Sequence, residues 1–345
     1  MFNMLTIDGS WGEGGGQIIR SSLALSLITG RAFRVYNVRA RREKPGLRQQ
    51  HLTAVRAAAE VGRARVDGAR VGATEFTFTP GEVAPGEYVF DIGTAGSTTL
   101  VLQTVLPPLM LAPAPSLLKL AGGTHNLHAP PFEFLQQTFL PLVNRMGPQV
   151  TIELERYGFY PPGGGRINVM IEPAAQLQRL DLHTRARILR ERVRALVVNL
   201  PPNIAERELA VVRERLGWSD EQLRVESSGN AHSPGNVLTI SIESEDLTEV
   251  VTGMGERGVR AEVVAERAVA EAQRYLTTGA PVGEHLADQL LIPLALAGGG
   301  SYKTCAPSLH TTTNIEIIKK FLAVEITIEQ MKGDVYEVRI EKPAD

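Results

Sequence analysis

Hydrophobic and polar residues follow one another along the chain in an order that recurs three times. Each time, an apolar segment of helix length is followed by a tight turn, a short strand, a polar loop, a second helix and another strand. The helices are apolar on more than one face, as expected for helices that cover a sheet. The predicted helices and strands are 17–28, 33–38, 47–61 and a strand near 64; then 97–111, 117–120, 132–146 and 150–154; and finally 286–296, 301–305, 314–322 and 324–329.

The recurrence predicts an α/β fold of three repeated modules, each a sheet plus two helices, that together form a large domain. The repeat period is much longer than that of a solenoid unit. The alternative is one continuous α/β domain in which the similarity is accidental. The pattern favours the repeat, with the polar loops of the three modules converging.

A segment of different amino-acid composition separates the second module from the third. From about 180 to 278 the chain is denser in arginine and glutamate, with amphipathic helices predicted from 203 and over 260–276 and an alternating strand at 237–242. We interpret this segment as a small inserted α/β domain. The predicted division is residues 1–180 for the first two modules, 181–278 for the inserted domain and 279–345 for the third module.

Charge and composition limit the function classes. The net charge is -2, so no global field draws the protein to nucleic acid, and any such site must be a local basic patch. Cys305 is the single cysteine, which excludes an intrachain disulfide and a cysteine metal cluster and favours a reducing compartment. The N-terminal residues do not form a signal peptide, and no apolar run is long enough to span a bilayer. We expect a cytoplasmic protein.

A glycine-rich loop, residues 12–17, stands directly before the first predicted helix. Backbone amides at such a position can bind an anion, but for the loop taken alone a tight strand-to-helix turn is the favoured explanation of the glycines. The loop is not a Walker A motif, because no Lys-Ser/Thr pair follows, and Gln17 takes the place of the third glycine of the dinucleotide fingerprint. Glu13 beside it would repel a phosphate unless a divalent cation lay between them.

A basic loop follows the first predicted strand. Only one acid, Glu43, accompanies its cations, which are Arg39, Arg41, Arg42, Lys44 and Arg48. Such a run is usually a solvated turn. It is also what a phosphate clamp requires, because the arginine fork matches phosphate oxygens, and Gln50 and His51 could add donors. The residues alone leave both interpretations open.

Two features near 130 have a plain structural alternative. Pro130, Pro131 and the phenylalanines that follow form an apolar patch that could stack a base, but a helix start that buries the aromatic rings is favoured. His125 and His128 lie three apart in a loop with no carboxylate partner, which makes a poor metal site.

The last polar loop, residues 306–314, carries His310 after a glycine-rich turn. A loop histidine is usually a surface residue. The functional alternative is a nucleophile that attacks a nucleotide phosphate, because imidazole is nucleophilic when neutral and leaves well when protonated. Asp288 and Gln289 open the preceding apolar helix, where they either satisfy the helix dipole or point at a ligand.

Together these stretches resemble the RNA 3'-terminal phosphate cyclase family over nearly the whole chain. The matching motifs are residues 8–9 with 12–18, 44–47 with 50–55, 95–97 with 102–107, 158–165, 285–289 and His310. Many matches in the right order are more specific than any single motif. The resemblance implies three repeated α/β modules with a small inserted α/β domain, in agreement with the pattern of the chain.

The resemblance also implies a reaction, the ATP-dependent conversion of an RNA 3'-phosphate to a 2',3'-cyclic phosphate. A histidine attacks the α-phosphate of ATP and pyrophosphate leaves. The adenylate then moves to the RNA 3'-phosphate, and the neighbouring 2'-hydroxyl displaces AMP. The implied cofactors are ATP and a divalent metal, magnesium or manganese. The implied partner is an RNA 3'-phosphate end, and we expect no membrane contact and no stable protein partner.

By resemblance, His310 is the nucleophile and Glu13 is the metal contact. The residues implied to hold phosphates or RNA are Arg20, Arg39, Arg42, Gln50 and His51. Those implied to bind ATP are Gln103, Pro130, Phe134, His285, Leu286, Ala287, Asp288 and Gln289. One departure from the family pattern stands out, because the tyrosine that stacks on adenine in better-known members is replaced here by His285, whose ring is smaller.

Two other functions fit the same architecture. The first is a non-catalytic RNA-binding paralogue used in ribosome assembly, which would lack the nucleophile. The presence of His310 together with Glu13 and Arg42 argues against it. The second is a carboxyvinyl transferase of the shikimate-pathway type, whose chemistry needs no histidine adenylate and which usually comes without the inserted domain.

Overall fold

The computed structural model describes residues 4–343 as a mixed α/β protein with four sheets of four strands each. The first sheet and its helices are β1 (Leu5–Asp8), α1 (Gly16–Thr29), β2 (Phe33–Tyr36), α2 (Gln49–Val61), β3 (Arg65–Asp67) and β4 (Phe76–Thr79). The second set is β5 (Glu87–Asp91), α3 (Thr98–Leu109), β6 (Ser116–Gly122), α4 (Phe132–Phe134), a π-helical segment (Leu135–Phe139), α5 (Leu140–Arg145), β7 (Gln149–Arg156) and β8 (Gly165–Glu172).

The second half of the chain begins with one short strand that belongs to the third sheet. The chain then forms a separate unit with its own sheet, and the remaining helices and strands of the third set follow this unit. In chain order these elements are β9 (Leu180–Leu182); β10 (Ile188–Val198), α6 (Asn203–Leu216), β11 (Leu223–Ser228), β12 (Gly235–Ser244), β13 (Thr248–Met254) and α7 (Ala261–Thr278); then α8 (Glu284–Leu296), β14 (Gly299–Thr304), α9 (Leu309–Phe321), β15 (Glu325–Gln330) and β16 (Tyr336–Glu341).

Three of the four sheets have the same topology, which confirms the prediction of repeated α/β modules. Their strand orders are β1-β2-β4-β3, β5-β6-β8-β7 and β9-β14-β16-β15. In each sheet the first two strands in this order are parallel and the remaining neighbours are antiparallel. The helices of all three modules share one large hydrophobic core.

The fourth sheet, with strand order β11-β10-β12-β13, packs against α6 and α7 around a separate core that contains Trp218. This unit enters the third module between its first strand, β9, and its first helix, α8. The predicted boundary between residues 180 and 181 falls inside β9, and the predicted domain limits as such stay a prediction.

The helix that carries His310 starts earlier than predicted. Ser308 is its N-cap, with Oγ accepting from the backbone N–H of Thr311 at 3.2 Å, so His310 lies in the first turn of α9. The prediction of a polar loop was wrong because threonine has low helix propensity and three threonines follow His310. In the structure the hydroxyl of Thr313 donates to the backbone oxygen of Leu309 at 2.6 Å, so the hydrogen-bonding capacity of this threonine is used within the helix.

None of the helices within residues 4–343 combines the length and the apolar character that crossing a bilayer requires.

Candidate active site

Three helices from different parts of the chain bring Gln17, Asp288 and His310 into one hydrogen-bonded chain. Gln17 lies in the first turn of α1, Asp288 in the first half of α8 and His310 in the first turn of α9. Nδ1 of His310 is 3.0 Å from Oε1 of Gln17, and Nε2 of Gln17 donates to Oδ1 of Asp288 at 2.5 Å. The first and third modules therefore meet at this point.

The hydrogen-bond partners determine the orientation of the Gln17 amide and the tautomer of His310. An ionised carboxylate only accepts hydrogen bonds, so the amide nitrogen of Gln17 faces Asp288 and its oxygen faces His310. Asn314 also donates to Oδ1 of Asp288, at 3.1 Å, while its own oxygen accepts from Ser21 at 2.7 Å. Nδ1 of His310 must then carry the proton, which leaves the lone pair of Nε2 available.

The electrostatic surroundings keep this imidazole neutral. Burial lowers the pKa of His310; the charge of Asp288 opposes this effect, and those of Arg20 and Arg42 add to it. Burial raises the pKa of Asp288 and lowers that of Arg20 to about 10, so Arg20 stays charged at neutral pH. A neutral imidazole beside a guanidinium is suited to attack on an anionic electrophile.

The start of α1 holds a second histidine against the glycine-rich loop. A Cβ on Gly16 would lie 2.6 Å from Nε2 of His51 and 2.8 Å from Nη1 of Arg20, so glycine is needed for this close approach. The backbone N–H of Arg48 donates to Nδ1 of His51 at 3.1 Å, which leaves the proton on Nε2. Burial and the neighbouring arginines lower the pKa of His51 to about 3, so it is a neutral donor.

Glu13 is held between the basic loop and α9. Its Oε1 forms an ion pair with Arg42, and its backbone N–H donates to Oγ1 of Thr313 at 2.9 Å. Its Oε2 is buried and has no partner among the described residues. Within residues 4–343 no group of three or more His, Cys, Asp or Glu side chains could hold a metal ion. The unpartnered Oε2 of Glu13 fits one contact to a cation, whose other ligands would have to come from phosphate oxygens and water.

Two predicted phosphate contacts also hold the loops in place. Arg39 has a positive φ of 52°, and its Nη1 donates to the backbone oxygens of Lys44 and Gly46 at 2.8 and 3.0 Å. Gln50 accepts from the backbone N–H of Ser97 at 3.0 Å, which ties the first module to the second. Both side chains have donors left for a ligand.

Part of the predicted ATP-binding set lies beside the hydrogen-bonded chain. Gln103 of α3 donates to the side chain of Gln289, and both line a cavity of about 50 Å³ together with Gln17, Arg20 and Asp288. That volume holds roughly one or two water molecules. The cavity as it stands is therefore too small to enclose a nucleotide.

The other predicted ATP contacts differ in accessibility. The side chains of Leu286, Ala287 and Phe134 are buried, so contacts to the first two would be through the backbone, and Phe134 belongs to the main core. Pro130 is half-buried, and its carbonyl accepts from Thr99 at 2.7 Å. The side chain of His285 is 68% exposed.

His285 is held by the inserted unit. Its Nε2 is 3.4 Å from Oε1 of Glu271 on α7. The hydrogen bond from His285 to Glu271 raises the pKa of the imidazole. A ring in this position carries positive charge more readily than a free histidine does.

The expectation that His125 lacks a carboxylate partner was wrong. Its Nε2 lies 2.8 Å from Oε2 of Glu133, and both side chains are buried. Glu133 also pairs with Arg194 of β10, and Nδ1 of His125 is 2.8 Å from Oγ1 of Thr124. These bonds connect the second module to the inserted unit, and they give His125 a structural role.

The sequence reasoning did not identify Gln17, Ser21 or Asn314 as site residues. A signal was present, because Gln17 and Ser21 are four apart on α1 and His310 and Asn314 are four apart on α9. Residues at that spacing lie on one face of a helix.

Comparison with known proteins gives one family. The family model described as RNA 3'-terminal phosphate cyclase matches residues 11–328. A protein of that name from Koribacter versatilis is 50% identical over 328 residues, which cover 95% of this chain and 92% of the relative. Another from Ectopseudomonas mendocina is 48% identical over 338 residues, which cover 98% of each chain.

A solved structure of EPSP synthase from Acinetobacter baumannii matches with a TM-score of 0.28 and 13% identity over 93% of this chain and 62% of that one, which is too low to bear on fold or reaction. The identity to the named cyclases and the span of the family match are far higher. The chain belongs to the RNA 3'-terminal phosphate cyclase family.

Proposed function

We propose that the protein converts an RNA 3'-phosphate to a 2',3'-cyclic phosphate at the expense of ATP, through an adenylate carried on His310. The observation that carries the proposal is the hydrogen-bonded chain from His310 through Gln17 to Asp288. It leaves Nε2 of a neutral imidazole free to act as a nucleophile. The curated relatives named RNA 3'-terminal phosphate cyclase support the same reaction.

The proposed reaction has three displacement steps. Nε2 of His310 attacks the α-phosphorus of ATP, and pyrophosphate leaves. An oxygen of the RNA 3'-phosphate then attacks the same phosphorus, and the imidazole leaves. Finally the 2'-hydroxyl loses its proton and attacks the 3'-phosphate, which expels AMP. Adenylation is needed because an oxygen dianion cannot leave from a phosphate monoester at neutral pH.

The ring contacts fit both halves of His310's role. During attack, the Nδ1–H of His310 donates to Gln17, whose amide donates in turn to Asp288. The buried carboxylate of Asp288 therefore stabilises the positive charge that develops on the ring. The resulting phosphoramidate breaks readily because the ring keeps its Nδ1 proton, so the bonding pair returns to Nε2 and the histidine leaves as a neutral imidazole.

The cationic and polar residues around this chain would bind the phosphates. Arg20 and His51 face the glycine-rich loop at the start of α1, where backbone amides add further donors. The remaining proposed phosphate or RNA contacts are Arg39, Arg42 and Gln50. A magnesium or manganese ion at Glu13 would offset phosphate charge. The proposed ATP contacts are Gln103, Pro130, Phe134, His285, Leu286, Ala287, Asp288 and Gln289.

Label transfer from ATP tests the proposal. The protein is incubated with ATP labelled at the α-phosphate and a divalent metal, and protein-bound label is measured for the wild type, His310→Ala and the control His232→Ala. His232 is an exposed histidine of the inserted unit. We expect acid-labile, alkali-stable label on the wild type and the control alone.

Each other outcome has a definite meaning. Label that survives in His310→Ala would place the nucleophile elsewhere. A folded wild type that takes no label would favour the non-catalytic RNA-binding paralogue.

A further inference from the structure

Trp11 is an exposed aromatic side chain at the edge of the proposed site. The chain has two tryptophans, of which Trp218 is 7% exposed in the core of the inserted unit and Trp11 is 46% exposed. Single exposed apolar residues are common on protein surfaces. What requires an explanation is the position of Trp11, two residues before Glu13.

The backbone around Trp11 is fixed by hydrogen bonds. Its N–H donates to the backbone oxygen of Asp8 at 3.3 Å, and its own backbone oxygen accepts from the N–H of Gly14 at 2.8 Å. Gly12 has a φ of 56°, and a Cβ there would lie 2.3 Å from Oγ1 of Thr313. The side chain of Trp11 therefore projects from an ordered turn that rests on α9.

The same turn of α9 carries the nucleophile. Thr313, which accepts from the N–H of Glu13, donates to the backbone oxygen of Leu309, the residue before His310. The side chain of Leu309 is itself 59% exposed. Two large exposed apolar side chains, Trp11 and Leu309, thus belong to the two segments that Thr313 joins, the glycine-rich turn and the first turn of α9.

The turn that carries Trp11 also contacts the basic loop. The amide nitrogen of Asn37, at the start of that loop, donates to Oδ1 of Asp8 at 3.3 Å. Arg41 is exposed, and Arg42 next to it pairs with Glu13. An exposed aromatic ring on a turn that contacts both a basic loop and the helix of His310 combines the two features with which proteins bind single-stranded nucleic acid, a stacking surface and cationic side chains.

We propose that Trp11 is a stacking platform for the 3'-terminal nucleobase of the RNA. This inference rests on the proposed function, because it takes an RNA 3'-phosphate as the ligand. The terminal phosphate must reach His310, and its base is joined to that phosphate through one ribose. Stacking on the indole places the base while leaving its hydrogen-bonding edges free, so the site accepts any terminal base.

Tryptophan fluorescence isolates the contact. In Trp218→Phe the remaining tryptophan is Trp11, and in Trp11→Phe it is Trp218. Each variant is titrated, without ATP, with a short RNA that carries a 3'-phosphate and with the same RNA lacking its 3'-terminal base. We expect saturable quenching of Trp218→Phe by the intact RNA, a much weaker effect of the abasic RNA, and no quenching of Trp11→Phe.

Steady-state kinetics give an independent readout. Trp11→Ala should raise the KM for RNA by about 5- to 150-fold, the cost of losing one stacked base. Trp11→Phe keeps a ring and should recover part of the loss. Val89→Ala removes a side chain that is 70% exposed on β5 and serves as the matched control with unchanged KM.

Quenching that is equal for the abasic RNA, or a KM for RNA that Trp11→Ala leaves unchanged, would overturn the platform. These results are separable from the failure of the proposed function. Label transfer from ATP to the wild type involves no RNA, and the fluorescence titration involves no adenylate. Base-dependent quenching without any label on His310 would retain the platform and reject the cyclase mechanism.

Discussion

Gln17 places its side-chain oxygen 3.0 Å from Nδ1 of His310. Through its amide nitrogen the same residue donates to Asp288. A histidine nucleophile needs a lone pair on one ring nitrogen and a proton on the other. The contact with Gln17 keeps the proton on Nδ1 and leaves the lone pair on Nε2. In the proposed reaction Gln17 would act through His310, so we regard it as a positioning residue.

Gln17→Glu should therefore change the pH dependence of self-adenylylation. A carboxylate beside Nδ1 would stabilise the imidazolium and raise the pKa of His310. Because only the neutral ring attacks, the rising limb of the pH–rate profile should move to higher pH. The pKa shift should correspond to about 10- to 150-fold in the acid constant, the value of one hydrogen bond to a charged group, and the loss of rate at neutral pH should be smaller because the pKa of His310 starts below its ordinary value. Single-turnover label transfer measured across pH tests this.

Gln17→Ala is the matched variant, since it removes the oxygen without adding charge. Its rate should fall, but its rising limb should not move upward in pH. A Gln17→Glu profile that coincides with that of the wild type would mean that Gln17 does not control the state of the ring.

The hydrophobic pattern of the sequence predicted the long helices of the fold but not all of its strands. Long apolar segments such as α1 and α8 could be predicted from their length and apolar character, and α6 and α7 from their helical periodicity. In each module the pattern missed the first strand and the last, for example β1 (Leu5–Asp8) and β9 (Leu180–Leu182). β1 and β9 have four and three residues, too few to show alternation, and pairing with neighbours determines them. The last strand of the second module, β8, has eight residues that alternate in burial, so the sequence did carry a signal for it.

The site could be predicted only where its residues stand together in the chain. The glycine-rich loop with Glu13, and the segment from His285, are readable as local motifs. The contact between Gln17 and His310 joins residues 293 apart in sequence and depends on how two modules pack. Helix propensity also gave a wrong prediction at His310, because three threonines after it suggested a loop where the Ser308 N-cap and the local hydrogen bond from Thr313 to Leu309 begin a helix.

Binding of RNA through the basic loop should depend strongly on salt and little on sequence. Contacts to single-stranded phosphates release counterions, so each lost cation should reduce the slope of log K against log salt by about 0.7. Arg41→Ala should reduce the slope by that amount for RNAs of different sequence. Fluorescence anisotropy over a range of salt concentrations measures it.

The control for Arg41→Ala is Arg257→Ala, which removes the same charge from an exposed position in the inserted unit. Its slope should equal that of the wild type. Equal losses in the two variants would mean that net charge, rather than the basic loop, governs RNA binding.

The buried network of His125, Glu133 and Arg194 should contribute strongly to stability. Burial alone would raise the pKa of Glu133, but the charges of His125 and Arg194 outweigh it and lower the value to about 2. Glu133→Ala leaves both partners uncompensated and should reduce the free energy of unfolding by about 3–5 kcal/mol. Urea unfolding of Glu133→Ala, Arg194→Ala and the double variant measures the coupling.

The exposed pair Arg34–Glu75, with side chains 52% and 58% exposed, provides the control. Glu75→Ala should cost less than about 1 kcal/mol. Because the folded pKa of Glu133 is depressed, its contribution should be present above pH 4.5 and be lost as pH falls towards 2. A loss of stability in Glu133→Ala as small as that in Glu75→Ala would contradict the assignment.

Glu249 should make the protein less stable as pH rises. This carboxyl group of β13 is 3% exposed and accepts from the backbone N–H of Gly283, the N-cap of α8, at 3.0 Å. Burial raises its pKa from 4.5 to about 8. A group whose folded pKa is raised binds its proton more tightly in the folded state. Its contribution is therefore complete below pH 4.5, declines up to pH 8 and is absent above it.

Glu249→Gln removes this dependence while keeping an oxygen that accepts from Gly283. At pH 8 the variant should be more stable than the wild type by on the order of a few kcal/mol, and the difference should shrink towards pH 5. Glu208, whose pKa burial raises to about 7, contributes in the same sense, so Glu208→Gln should show a smaller version of the effect. Thermal unfolding followed at several pH values tests both, and parallel curves for Glu249→Gln and the wild type would show that Glu249 is ionised in the folded protein at neutral pH.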